Sequence, residues 1–313
     1  MIRVAAGSES RNSLNSNGEI MHFERMLCPI DFSDFSVSAY EYALTIADYY
    51  KAHLVVLHTI ESWKYPYADY AGSSGDFADF SKSLCEGGSA KLKEFVKKHW
   101  RAGVEPQLVV DQGNASDLIL SFTQSHNIEV IVLGTHGRRG FDRLVLGSTT
   151  DRVIRKASCP VLVVSNLSHN DMTTTPDGKH QLSRILYCTD FSVNSEHALE
   201  YAISVAAEYA AELTLLHVVE GKLAGHRTEA VLGMCKEQLD KLVPGPEGRN
   251  FKVTCEVKIG KGYEEIVRYA KETQTSLIAI TARGGDALDR AVFGSTTHRV
   301  IQLGPCPVLA VHT

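Results

Sequence analysis

The feature that most limits what this chain can become is that its pattern is written twice. The stretch "LCPIDFSDFSVSAYEYALTIADYYKAHLVVLHTIE" is echoed by "LYCTDFSVNSEHALEYAISVAAEYAAELTLLHVVE", setting Asp31 against Asp190 and His58 against His217 at an offset of 159. Farther on, Gly113, Gly137, Gly147 and Cys159 match Gly260, Gly284, Gly294 and Cys306 at an offset of 147, so the first copy carries twelve extra residues between His58 and Gly113. Two domains of one architecture are expected, at 22–165 and 182–313, which suits a chain of 313 residues. "NLSHNDMTTTPDGKHQ", Asn166 to Gln181, is polar, contains Pro and Gly, and reads as a linker. The opening "MIRVAAGSESRNSLNSNGEI" lacks the apolar core of a signal peptide, and residues 1–21 read as a disordered leader.

Within the first copy, "RMLCPI", "HLVVLHTI", "PQLVVDQ", "IEVIVLG" and "PVLVVS" read as strands. Between them, "SVSAYEYALTIADYY" puts Ala39, Tyr40, Ala43, Leu44, Ile46 and Ala47 on one side of a helix, and "NASDLILSFTQSHN" and "STTDRVIRKAS" have similar faces behind capping residues. Strands apolar throughout suit parallel pairing covered on both faces. Strand and helix in alternation, with right-handed crossovers, give a doubly wound α/β domain of five parallel strands in each copy. The closing strands "PVLVVS" and "PVLAVH" would be exposed edges if left alone.

Composition removes several classes. A net charge of −5 does not supply the basic field that nucleic acid requires, so no nucleic-acid partner is expected. No apolar run approaches the roughly 18 residues of a membrane span. Seven widely spaced cysteines without a C-x-x-C pair argue against a zinc site or disulfide framework and fit free thiols in a reducing cytoplasm.

Function is concentrated where a buried strand ends. "IEVIVL" runs into "GTHGRRGFDRLVLGSTT", and "SLIAI" into "TARGGDALDRAVFGSTT". Ligands of doubly wound sheets bind beyond the carboxyl ends of the strands, where connections depart in opposite directions. The loops after "PI", with Asp31, and after "VIVL", with Gly134, are expected to face one another there. Glycines let the main chain approach a ligand and permit φ > 0. Gly147-Ser148-Thr149 then opens a helix whose N–H groups and dipole suit an anion, with Arg138, Arg139 and Arg143 nearby. A polyphosphate fits, and Asp31 belongs at the nucleoside end. A glycine turn or a Ser-Thr helix start alone is ordinary structure; both together, opposite an aspartate, are the signal. "GTHGRRG" is not G-x-G-x-x-G, and no G-x-x-x-x-G-K-[ST] occurs, which excludes a P-loop NTPase.

The arrangement resembles the universal stress protein family, whose ATP-binding members carry G-x-x-G, nine residues, then G-[ST]. Gly134, Gly137, Gly147 and Ser148 meet that pattern, and "PIDFS", "VLHTI", "GNASDLI" and "SCPVLVV" follow the family's landmarks in order. The resemblance implies two tandem domains of the adenine nucleotide alpha hydrolase-like fold. It also implies adenine against Ile30 and the main chain at Thr59, ribose near Asp31, and Leu133 lining the pocket. Phosphates would meet Gly134, Gly137, Gly147, Ser148 and Thr149, together with a divalent cation such as Mg or Mn. It implies association through the closing strand, as a pseudo-dimer within one chain, with two chains associating further as a homo-oligomer.

The second copy departs from the pattern. Gly284 and Gly294-Ser295 are kept, but Thr281 replaces the leading glycine. A β-branched residue there is expected to disfavour φ > 0 and to crowd a triphosphate. Asp190, Val218, Gly284, Gly294, Ser295 and Thr296 therefore read as a weaker or vacant second site. His58 and His217 read as structural, His136 as a loop residue, and Cys159 and Cys306 as inert packing. The aromatic stretch "SWKYPYADYAGSSGDFADF" is a flap, a contact surface or a plain longer loop. No residue is placed by motif to activate water at a γ-phosphate, so no catalytic residue is assigned. The expectation is a cytoplasmic nucleotide-binding regulator in the stress response. A slow ATPase and a nucleotide-free scaffold are its rivals.

Overall fold

The computed structural model describes residues 23–61, 74–101, 103–135, 146–165, 173–174, 180–221, 226–243, 245, 249–282 and 294–312. In the first half, β1 (Arg25–Ile30), β2 (His53–Ile60), β3 (Gln107–Gln112), β4 (Val130–Gly134) and β5 (Val161–Val164) alternate with α1 (Asp34–Tyr50), α2 (Ser74–Lys98), α3 (Ala115–Ser125) and α4 (Ser148–Lys156). Two short strands, β6 (Thr173–Thr174) and β7 (His180–Gln181), pair antiparallel between the halves. The second half repeats the plan with β8 (Arg184–Thr189), β9 (Glu212–Val219), β10 (Val253–Ile259), β11 (Leu277–Thr281) and β12 (Val308–Val311). Its helices are α5 (Val193–Tyr209), α6 (His226–Leu242), α7 (Gly262–Glu272) and α8 (Ser295–Leu303).

Each half is a parallel sheet, and the two merge into ten strands of order β10-β9-β8-β11-β12-β5-β4-β1-β2-β3. The seam is the one antiparallel junction, with Val308 opposite Val163 and Ala310 opposite Val161. Each closing strand thus satisfies the other's open edge. Alternation along the seam sends Val161, Val163, Val308 and Ala310 into one core and Leu162, Val164, Leu309 and Val311 into the other. Both cores therefore run through the seam. Tyr49 stacks on Tyr209 at 4.4 Å between ring centres and donates its hydroxyl to the Glu208 carbonyl at 2.8 Å. A small apolar cavity of about 40 Å³ remains beside them, lined by Phe23, Ile46 and Tyr50 and by their counterparts Leu182, Val205 and Tyr209.

Local chemistry sets the helix limits. Ser33 accepts a hydrogen bond from Ser36 N at the start of α1, and Lys51 closes the helix in the left-handed conformation at φ 55°. One difference from the expected layout concerns residues 74–80, read as part of a loop: they form the first turns of α2. Gly87 and Gly88 in mid-helix obscure it in the sequence, and packing explains the second of them. A Cβ on Gly88 would stand 2.8 Å from Ile60 Cδ1 and 3.1 Å from Val110 Cγ1, so the glycine lets α2 lie close on the sheet. No described helix is long and apolar enough to cross a membrane.

Candidate functional site

In each half the strand order turns at the β1–β4 or β8–β11 neighbours, where a crevice opens beyond the carboxyl ends. In the first half, β1 delivers Ile30 and Asp31 to that crevice, β2 delivers Thr59, and β4 delivers Leu133 and Gly134. Ile30, Leu133 and Gly134 are buried, Asp31, Thr59, Gly147 and Thr149 half-buried and Ser148 exposed.

Asp31 is shaped by its own turn. Its Oδ1 accepts from Ser33 N at 3.0 Å and from Ser33 Oγ at 2.6 Å, which carries the chain from strand to helix. The turn forces Phe32 to φ 65°, a conformation uncommon for a bulky residue, and its ring packs 4.5 Å from that of His58. The second half repeats this at Asp190, Ser192, Phe191 (φ 60°) and His217. Both histidines donate Nδ1–H to the carbonyl at the end of the first strand, His58 to Ile30 at 2.8 Å and His217 to Thr189 at 2.9 Å. That is a structural task.

The helix that opens at Gly147 is pinned to β4 by two bonds. Gly147 N donates to the Thr135 carbonyl at 2.9 Å, and the Thr150 hydroxyl donates to the Gly134 carbonyl at 2.8 Å. Gly147, as N-cap, offers no side chain to the first-turn N–H groups. The Thr297 hydroxyl makes the same bond to the Thr281 carbonyl, and Gly294 caps α8 in the same way. Ser295 is exposed and Thr296 half-buried. Gly137, Gly284, His136, Arg138, Arg139, Arg143 and Arg283 lie outside the described residues, as do the leader, most of the linker and residues 62–73 of the aromatic stretch.

The expected reason for the leading glycine requires correction. Gly134 is not among the glycines with positive φ, and Gly147 and Gly294 both have φ −59°. The constraint is close approach. A Cβ on Gly134 would stand 2.7 Å from the Phe35 carbonyl oxygen and 2.8 Å from its carbon, so Gly134 admits the first turn of α1 against the end of β4. Thr281, buried at the same place, brings the Cβ that the first half excludes.

Sequence reasoning missed three participants. Phe35 sets the approach to Gly134, while Glu220 and Gly262 meet in the second half, where Gly262 N donates to Glu220 Oε1 at 2.7 Å. The only hint was the glutamate that ends both "LHTIE" and "LHVVE". Among the described residues, no three His, Cys, Asp or Glu side chains converge as a metal site. Three buried thiols are held protonated by burial: Cys28 and Cys188 are pushed far up and Cys159 to about 12.

A parallel unit of order 3-2-1-4-5 with a switch point at its centre defines the class: a doubly wound α/β domain, present twice. The model of the universal stress protein family matches residues 22–165 and again 182–312, and the chain belongs to that family. Universal stress protein Slr1230 of Synechocystis is 25% identical over 303 residues, covering 91% of this chain and 98% of its own. Universal stress protein MJ0531 of Methanocaldococcus jannaschii is 32% identical over 155 residues, 49% of this chain and 88% of its own. The crystal structure of a universal stress protein from Archaeoglobus fulgidus overlays with a TM-score of 0.67 at 22% identity, covering 93% of this chain and 99% of that one; the likeness is one of fold.

Proposed function

We propose that the chain is a cytoplasmic, ATP-binding regulator of the stress response that holds nucleotide in its first domain, 22–165, and weakly or not at all in its second, 182–313. Ile30 and the main chain at Thr59 would receive the adenine, Asp31 the ribose hydroxyls, and Leu133 the pocket wall. Gly134, Gly137, Gly147, Ser148 and Thr149 would receive the phosphates. The observation that carries the reading is the uncapped opening of α4, tied to the end of β4 across from the Asp31 turn. First-turn N–H groups and the positive end of the helix dipole favour a phosphate there. A Mg or Mn ion would be held chiefly by phosphate oxygens, since such ions need few protein ligands when phosphates supply the rest. Asp190, Val218, Gly284, Gly294, Ser295 and Thr296 would form the weaker second site.

The test is to denature freshly purified protein and identify the released small molecules by mass spectrometry, then to titrate nucleotide-free protein with ATP. Released adenine nucleotide and a rise in melting temperature at millimolar ATP are expected, because a ligand selective for the folded state must raise stability. No release and an unmoved melting temperature would leave the scaffold reading in its place. ADP accumulating with the purified protein, and lost in Gly147→Val, would make it a slow ATPase.

A further inference from the structure

The second half differs from the first at a point that no nucleotide motif contains. Glu220 follows β9, and its Oε1 accepts a hydrogen bond from Gly262 N at the start of α7, at 2.7 Å. Thr296, in the first turn of α8, lies beside it: a Cβ on Gly262 would stand 2.7 Å from Glu220 Oε1, 3.3 Å from Thr296 Cγ2 and 3.4 Å from Thr296 Oγ1. The carboxylate therefore sits where the amino ends of α7 and α8 converge, one of which is the counterpart of the helix that opens at Gly147. A negative group at two positive helix ends uses the same field that a phosphate would use.

The first half is built otherwise. The counterpart of Gly262 is Ala115, whose Cβ takes up the space in which the Glu220 carboxylate lies against Gly262, so Glu61, the counterpart of Glu220, would have to shift the end of its side chain to make the same bond. There α3 is capped from within, by the Asn114 side chain accepting from Asp117 N at 3.2 Å. In the second half the N-cap residue is Lys261, which makes no side-chain cap bond, and Glu220 supplies the acceptor from the neighbouring strand.

We propose that Glu220, exposed at the rim and bonded to Gly262 N, is the residue that keeps polyphosphate out of the second half: the chain's own carboxylate occupies the anion end of that cleft. The inference rests on the nucleotide reading of the first half and assigns a specificity-determining residue in the second.

The experiment removes the carboxylate in a background where Thr281 is no obstacle. Wild type, Thr281→Gly, Thr281→Gly/Glu220→Ala and Thr281→Gly/Glu220→Gln are titrated with ATP and Mg by calorimetry, the first half serving as internal control. One site is expected in wild type and in Thr281→Gly. A second site is expected once Glu220 is replaced, tighter by roughly tenfold to a hundredfold than any second-half binding in Thr281→Gly, the scale of relieving a like-charge contact. Glutamine keeps an oxygen for Gly262 N, so it supplies the readout through charge alone if alanine loosens α7. A second site in either double variant supports the role of Glu220. One site throughout, or a second site already present with Glu220 in place, overturns that role alone. No site in any protein overturns it and the nucleotide reading together.

Discussion

At the carboxyl end of β4 the chain has Gly134, and at the same point of β11 it has Thr281; at the start of α3 it has Ala115, and at the start of α7 it has Gly262. The two halves have exchanged small residues at neighbouring positions of one cleft. In the first, the missing Cβ brings α1 against the strand, and the methyl of Ala115 crowds the place that the glutamate takes in the second. In the second, the threonine adds bulk at the strand and the glycine admits the carboxylate. Four local features around the cleft are meanwhile kept twice: the aspartate turn, the left-handed phenylalanine, the histidine bond and the threonine pin. At these points the frame is held constant while the cleft differs, so the turn-and-pin scaffold tolerates different side chains at the strand and helix ends it positions.

The comparison can be broken at several places. The largest effect is expected at the seam. Tyr209→Ala removes a ring stacked between the halves and should cost about 3–5 kcal/mol. Both tryptophans, Trp63 and Trp100, lie in the first half, so their fluorescence reports that half alone. If the halves share one core, unfolding followed by fluorescence should shift although the substitution lies in the second half. An unshifted signal would mean that they stand independently.

Next comes Gly134→Thr, which copies the second half into the first. Its Cβ meets backbone rather than a pliable side chain, so a loss of about 1–3 kcal/mol in denaturant unfolding is expected, with loss of the first-half ATP signal. Full binding in this variant would show that the approach of α1 is irrelevant to the cleft.

A smaller contrast is expected at the caps. Ser33→Ala removes a bond from Ser36 N and should cost about 1 kcal/mol. Ser192 makes no such bond at α5, so Ser192→Ala should cost less; equal losses would remove the distinction.

The last contrast is in acid. His298 of α8 stands where α4 has Asp151, and burial holds its imidazole below the usual value of 6.5, opposed by Asp151 and reinforced by Arg155 and Arg299. A histidine whose folded value is depressed takes its proton more readily unfolded, so its penalty grows as pH falls below about 6.5 and is absent above it. Melting temperature should therefore fall with acidification less steeply in His298→Gln than in wild type. Identical slopes would exclude this group.

The architecture was legible because it rests on periodicity. Runs such as "HLVVLHTI" and the helix face of Tyr40, Leu44 and Ala47 declare strand and helix locally, and repetition at two offsets supplies the second domain. The helix at 74–98 was not, because Gly87 and Gly88 break helical propensity, and the contact with Ile60 and Val110 that justifies Gly88 exists only after folding. The same holds for the cleft. Gly134 was readable as a glycine that matters, but its reason, the Phe35 carbonyl, comes from far earlier in the chain. Glu220 left only a repeated glutamate as its trace, since its partner Gly262 arrives by way of α6 and β10.

The seam between β5 and β12 has a further consequence. In an assembly of identical chains, a change at a two-fold contact appears on both sides at once and must suit itself. Here the facing surfaces are encoded separately and tethered, so one side can drift while the other stays, as Tyr49 across from Glu208 already illustrates. The tandem arrangement frees the seam from self-complementarity and keeps each half at a local concentration that dilution cannot lower.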